Sequence, residues 1–115
     1  MKEMKIIIRP EKLEDVKSIL DEFNCGGMTI TTAMGCGAQK GIIEGINTIK
    51  GLRTIINLIP KIKVETVMED DKIEDVILRI REKIATNHVG DGKIFISTID
   101  DAVRIRTGER GDKAL

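Results

Sequence analysis

Thr86-Asn-His-Val-Gly-Asp-Gly-Lys93 places two glycines and a lysine in one short run, directly before the apolar stretch Ile94-Phe95-Ile96. Glycine lets the backbone adopt φ > 0 and approach a ligand closely. Successive N–H groups in such a turn can form an anion-binding nest. Lys93 adds a cation at the end of the turn. A few residues later the chain reads Arg104-Ile-Arg106-Thr-Gly-Glu109-Arg110. In an extended segment residues two apart share a face, so Arg104 and Arg106 are expected to point together, with Val103 and Ile105 on the other side. Two guanidiniums on one face suit a polyphosphate. The same residues also fit a tight hairpin turn followed by a solvated edge strand, and short glycine–lysine motifs recur by chance.

The elements that must position this run come from an internal repeat. Lys12-Leu-Glu-Asp-Val16 recurs as Lys72-Ile-Glu-Asp-Val76. A short apolar strand precedes each copy, Lys5–Arg9 in the first and Ile62–Met68 in the second. The second of these alternates, as a sheet with one covered face requires. Each copy then opens an amphipathic helix: Val16, Ile19, Leu20 and Phe23 fall at helical spacing in one, and Ile73, Val76, Ile77, Ile80 and Ile84 in the other. Pro10 and the acidic run Glu69-Asp-Asp71 suit helix starts. A further strand follows each helix, Met28–Met34 and Lys93–Ser97. Two β-α-β units predict an α+β, ferredoxin-like split β-α-β fold. Helices on one face of four strands leave the other face to be covered, which favours oligomerisation.

Composition narrows the function classes. The 115 residues fit one domain. With two Phe, no Tyr and no Trp, the core must be aliphatic. Nineteen basic and nineteen acidic residues leave no general basic field for nucleic acid. No apolar run has the length of a membrane span, and Met1-Lys-Glu-Met-Lys5 lacks a signal peptide's apolar core, so a cytoplasmic protein without membrane insertion is expected. Cys25 and Cys36 form no Cys-x-x-Cys motif and read as reduced, semi-buried thiols. His88, without a Cys/His cluster around it, does not suggest zinc. Asp91 and His88 are the only candidates for catalysis near the glycine run, and turn and loop roles account for both, so no enzymatic function is expected.

Gly90-Asp-Gly-Lys-Ile-Phe95 followed by Arg104-Ile-Arg-Thr-Gly-Glu109 resembles the C-terminal signature of the PII nitrogen-regulatory proteins. Ile8-Arg-Pro-Glu-Lys-Leu-Glu-Asp-Val16, Gly27-Met-Thr29, Gly35-Cys-Gly-Ala-Gln-Lys-Gly41 and Pro60-Lys-Ile-Lys-Val-Glu65 agree with it in collinear order. The resemblance implies a homotrimer with nucleotide sites in the clefts between subunits. It implies ATP or ADP and, with Mg-ATP, 2-oxoglutarate as effectors. The phosphate cradle would be Gly90, Asp91, Gly92 and Lys93, with Arg104 and Arg106 reaching across a subunit boundary. Thr29, Gly35, Cys36, Gly37, Ala38, Glu65 and Val67 would surround the nucleotide. Gln39 would coordinate Mg²⁺, which takes few protein ligands and is completed by phosphate oxygens and water. The backbone at Gln39, Lys40 and Gly41, with the Lys61 ammonium, would hold 2-oxoglutarate. A keto acid chelating the metal would need Mg-ATP first, a positive coupling.

The segment at about 37–59 stands where the family carries its T-loop, its main contact with targets. A C-terminal nucleotide-binding segment is expected at about 98–115. The loop departs from the family pattern. It contains no tyrosine, so the tyrosine uridylylation of many bacterial relatives is excluded, and Thr48 and Thr54 do not match the phosphorylated serine of cyanobacterial ones. Ile46, Ile49, Leu52 (or Arg53) and Ile56 recur at about helical spacing, which suits an apolar face docking on a partner; the alternative is a hairpin that extends the sheet and packs on the protein itself. Ala38 stands where many relatives carry a basic residue, removing a charge-assisted contact worth about 1.5–3 kcal/mol if buried. Cys36 stands where an aromatic is common. The implied function is a signalling regulator of nitrogen metabolism acting through its T-loop on an enzyme or transporter: an ammonium transporter, glutamine synthetase, a nitrogen-regulated kinase or nitrogenase, with a lean to the nitrogenase-linked subgroup. The alternative is a paralogue that keeps the nucleotide site and senses another small acid, such as bicarbonate.

Overall fold

The structure, a computed structural model, describes residues 1–36 and 58–115. Four strands, β1 (Lys2–Ile8), β2 (Thr29–Gly35), β3 (Ile59–Met68) and β4 (Lys93–Thr98), form one antiparallel sheet in the order β2-β3-β1-β4. Helix α1 (Leu13–Glu22) connects β1 to β2, and α2 (Ile73–Ile84) connects β3 to β4. Neither crossover joins adjacent strands: β3 lies between β1 and β2, and β1 lies between β3 and β4. This is the split β-α-β arrangement expected from the repeat.

The repeat is visible in the turns as well. Each helix is preceded by a single tight helical turn, Pro10–Lys12 and Asp70–Lys72. The two turns close with the same bond: Lys12 N donates to Arg9 O at 3.0 Å, and Lys72 N donates to Glu69 O at 3.1 Å. In the second copy the acidic run also holds the start of the chain, with Asp70 3.0 Å from the Met1 amine.

One face of the sheet carries the core. Met4, Ile6 and Ile8 of β1 and Ile62, Val64 and Met68 of β3 are buried against Val16, Ile19 and Leu20 of α1 and Ile73, Val76, Ile80 and Ile84 of α2. Phe23 and Ile77, expected inside, pack on this cluster but are only partly buried. Thr66 occupies a core position because its hydroxyl donates to Gly27 O at 3.2 Å, which satisfies a group that would otherwise be costly to bury. The opposite face has no layer over it among the described residues. It carries Glu3, Lys5 and Ile7 of β1, Lys61, Lys63, Glu65 and Val67 of β3, and Lys93, Phe95 and Ser97 of β4, by the register that pairs Ile7 with both Lys63 and Lys93.

The strands differ in extent from expectation. β1 runs Lys2–Ile8 rather than 5–9; at its end Pro10, which has no N–H to donate, stops the ladder, and Arg9, at φ −68° and ψ 146°, lies beyond it. β3 starts at Ile59, so the expected loop of about 37–59 overlaps the strand at its end. Leu58, just before the strand, is exposed, and residues 37–57 lie outside the described residues.

Candidate functional site

The glycine run forms a loop seated on the end of β1. Gly90 and Gly92 adopt φ of 99° and 107°, a region open to glycine at little cost. At Gly92 the need is doubled: a Cβ would lie 1.8 Å from Ile7 O. Asn87 also takes a positive φ, 63°. Asp91 organises the loop from within. Its carboxylate accepts from Thr86 N at 2.7 Å, from Asn87 N at 3.1 Å and from the Thr86 hydroxyl. These bonds, the Thr86 hydroxyl foremost, hold the Asp91 carboxyl below its ordinary range. Asp91 therefore braces the loop, a use of the residue distinct from contact with a ligand.

Two cations reach the outward carbonyls of this loop. Lys61 Nζ donates to Gly90 O at 3.0 Å. Arg9 donates through Nε to the same oxygen at 3.0 Å and through Nη2 to Val89 O at 2.8 Å. Lys61 is only 9% exposed, unusual for a lysine. Gly35 leaves room for its stem, since a Cβ there would stand 3.1 Å from Lys61 Cγ. The lysine stem lies across β2 where any larger residue would crowd it.

A cavity of about 380 Å³ opens at this place. Gly35, Cys36, Lys61, Gly90, Gly92 and Lys93 all line it, so six of the expected site residues, far apart in sequence, meet there. Thr29, Glu65 and Val67 do not. They line a second cavity, of about 300 Å³, with Gly26, Gly27 and Leu115. Gly37, Ala38, Gln39, Lys40 and Gly41 lie outside the described residues.

The expectation for Arg104 and Arg106 needs correction. They do not alternate along an extended strand. Val103 pairs with Arg110, and the chain turns between them. Gly108 N donates to Arg104 O at 2.7 Å and Arg104 N donates to Glu109 O at 2.9 Å. Gly108, at φ 74°, supplies the left-handed residue this reversal needs. The turn leaves Ile105 99% exposed. Asp101 staples the base, accepting from Ala102 N at 2.8 Å and Gly111 N at 3.1 Å and pairing with Arg110. Arg104 Nη2 donates to the Leu115 main-chain oxygen at 2.8 Å, which ties this arginine to the wall of the second cavity. Arg106 is exposed and makes no hydrogen bond or ion pair among the described residues.

The thiols also differ from expectation. Both are free, but Cys25 is buried and Cys36 exposed. Burial raises the Cys25 thiol above its ordinary pKa. Arg9 is the residue that sequence reasoning missed at this site. Its signal was its place directly before Pro10, at the end of a strand, although only the fold brings it to Gly90.

Comparison with known proteins agrees with this architecture. The family model described as nitrogen regulatory protein P-II matches residues 1–109. The chain belongs to the P-II family. It is 49% identical over 115 residues to nitrogen regulatory protein P-II 2 of Methanothermobacter thermautotrophicus, covering all of this chain and 97% of that one. It is 44% identical to nitrogen regulatory protein P-II of Mesorhizobium japonicum over the full length of both. It is 42% identical to nitrogen regulatory protein P-II 1 of Methanothermobacter thermautotrophicus, covering 97% of that protein. P-II proteins are signal transducers of nitrogen metabolism that respond to small-molecule effectors and act on target proteins; they are not enzymes. Among the described residues no helix is long and apolar enough to cross a membrane.

Proposed function

We propose that this P-II protein is a homotrimeric, cytoplasmic sensor of ATP, ADP and 2-oxoglutarate that controls a nitrogen-metabolism target through residues 37–59. The observation that carries this reading is the convergence of the glycine loop, Lys61 and Lys93 with Gly35 and Cys36 on one cavity. A buried ammonium beside a glycine loop suits a carboxylate or phosphate. The separation of Thr29, Glu65 and Val67 into a second cavity on the same chain supports a nucleotide site assembled from two copies. In that site one copy supplies the glycine loop. Its neighbour supplies the second cavity, with Arg104 and Arg106 on the adjoining hairpin. Asp91 serves by shaping the cradle. Gln39 would coordinate Mg²⁺, and Lys40, Gly41 and Lys61 would hold 2-oxoglutarate, while Gly37 and Ala38 would border the nucleotide.

The deciding experiment is calorimetric titration of 2-oxoglutarate with and without Mg-ATP, beside a solution mass determination. The reading expects a trimer, nucleotide binding, and 2-oxoglutarate binding only when Mg-ATP is present. Nucleotide binding without any 2-oxoglutarate response would favour a sensor of another small acid. For the target contact, deletion of residues 42–56 is expected to abolish capture of a nitrogen-regulated enzyme or transporter while leaving the trimer intact. Unchanged capture would overturn the docking role.

A further inference from the structure

We infer that Arg9 is a positioning residue for phosphate binding, the residue that holds the glycine loop in its binding conformation when Lys61 is engaged elsewhere. Three observations carry this. First, Arg9 and Lys61 converge on one acceptor, Gly90 O, each at 3.0 Å. Second, Arg9 also holds Val89 O at 2.8 Å, so its fork grips two successive peptide planes of the loop. Third, its backbone is set by Pro10, which keeps Arg9 extended at ψ 146°, and its own carbonyl is occupied by Lys12 N.

The consequence follows from peptide geometry. In a planar trans peptide the C=O and the following N–H point in opposite directions. Pinning the carbonyls of Val89 and Gly90 therefore sets the directions of the Gly90 and Asp91 N–H groups. Positive-φ glycines do not set these directions themselves, because glycine visits several basins at similar cost. Asp91 braces the entry of the loop at Thr86 and Asn87, and Gly92 abuts Ile7 at its exit. Among the described residues, Arg9 and Lys61 are the side chains that hold the peptides between. An anionic ligand that drew the Lys61 ammonium from Gly90 O would leave Arg9 still holding this stretch. Arg9 is thus the fixed half of the clamp and Lys61 the half that a ligand can compete for.

This inference rests on the proposed nucleotide reading for its phosphate part, and the test separates the two. Arg9→Gln and Arg9→Lys variants of the full chain would be compared with the unaltered protein. Amide hydrogen exchange, without ligand, reads the clamp itself, and calorimetry with ATP reads its use. Arg9→Gln is expected to speed exchange in residues 88–92 and not in β1 or β3, to leave the thermal midpoint nearly unchanged, and to weaken ATP by about tenfold, the loss expected for one charge-assisted hydrogen bond. Arg9→Lys, able to reach one carbonyl, is expected to recover part of both effects. Unchanged exchange at 88–92 in Arg9→Gln would overturn the inference whether or not the protein binds nucleotide. So would faster exchange with ATP affinity unaltered. If the unaltered protein binds no ATP at all, the nucleotide reading fails and the phosphate role of Arg9 fails with it, while the exchange data still report whether the clamp exists.

Discussion

Gly92 lies against the carbonyl of Ile7 so closely that a Cβ would come within 1.8 Å of that oxygen. The obstacle is the backbone of the interior strand β1 near its end, which cannot swing aside as a flexible side chain can. Gly92→Ala is therefore expected to do two things. It should cost more than the ~1–3 kcal/mol typical of a residue forced into a sparsely populated φ region, and it should lift the loop from β1. Urea unfolding gives the first, and chemical shifts of Ile7 and Lys93 give the second. A stability within 0.5 kcal/mol of the unaltered protein, about the range of surface substitutions, would contradict the close approach.

The Asp91 carboxylate is stabilised by the Thr86 hydroxyl and two main-chain N–H groups, and its pKa is depressed from the ordinary 3.8. A group whose folded pKa is below its unfolded one contributes stability above the unfolded value, and that contribution is lost as pH falls through the folded value. The loop is thus expected to hold its conformation down to about pH 4 and to loosen below it. Thr86→Val, which removes the foremost cause, should raise the Asp91 pKa toward 3.8. Carboxyl carbon NMR titration of both proteins measures this. An unaltered Asp91 titration in the variant would remove Thr86 from the account.

The two thiols should behave as unlike groups. Cys25 is buried with its pKa raised, and thiolate is the reactive form. Cys36 is exposed and lines the same cavity as Lys61. In the native protein an aromatic disulfide reagent is expected to modify Cys36 quickly and Cys25 only on unfolding. If ATP occupies that cavity, saturating ATP should slow the Cys36 reaction at least several-fold. Equal rates with and without ATP, in a protein shown to bind it, would place the nucleotide away from Cys36.

At the other end of the chain, Asp101 gathers Ala102 N, Gly111 N and Arg110 around one carboxylate. Exposed ion pairs contribute only about 0–1 kcal/mol, so Asp101→Ala is expected to change global stability little. Its effect should be local. The hairpin carrying Arg104 and Arg106 should open more often, seen as faster hydrogen exchange at Arg104 and Gly111. ATP affinity should fall if the hairpin serves the neighbouring copy's site. Unchanged exchange at both amides would show that the Val103–Arg110 pairing stands without this carboxylate.

Much of the fold was legible because it follows from local periodicity. The pentapeptide at 12–16 and 72–76, each copy after a strand and before an amphipathic helix, was enough to imply the split β-α-β order that β2-β3-β1-β4 displays. Ile62, Val64 and Met68 could be assigned inward from alternation alone. The extended reading of Arg104 and Arg106 failed because Gly108 and the Asp101 staple turn the chain, and the main-chain bonds of Arg104 N to Glu109 O and of Gly108 N to Arg104 O override a two-residue alternation.

What the sequence determined by itself was whatever depends on near neighbours: the repeat, the glycines at Gly90 and Gly92, the helix faces, and the family through its collinear motifs. What only the tertiary structure decided was which distant groups meet. Arg9 and Gly90 are 81 positions apart, and Lys61 and Gly90 are 29 apart. Their contact depends on β1 lying at the centre of the sheet with β3 on one side and β4 on the other. Strand order is set by burying two helices on one face, a property of the whole chain, and no local pattern around Arg9 or Lys61 encodes the carbonyl they share.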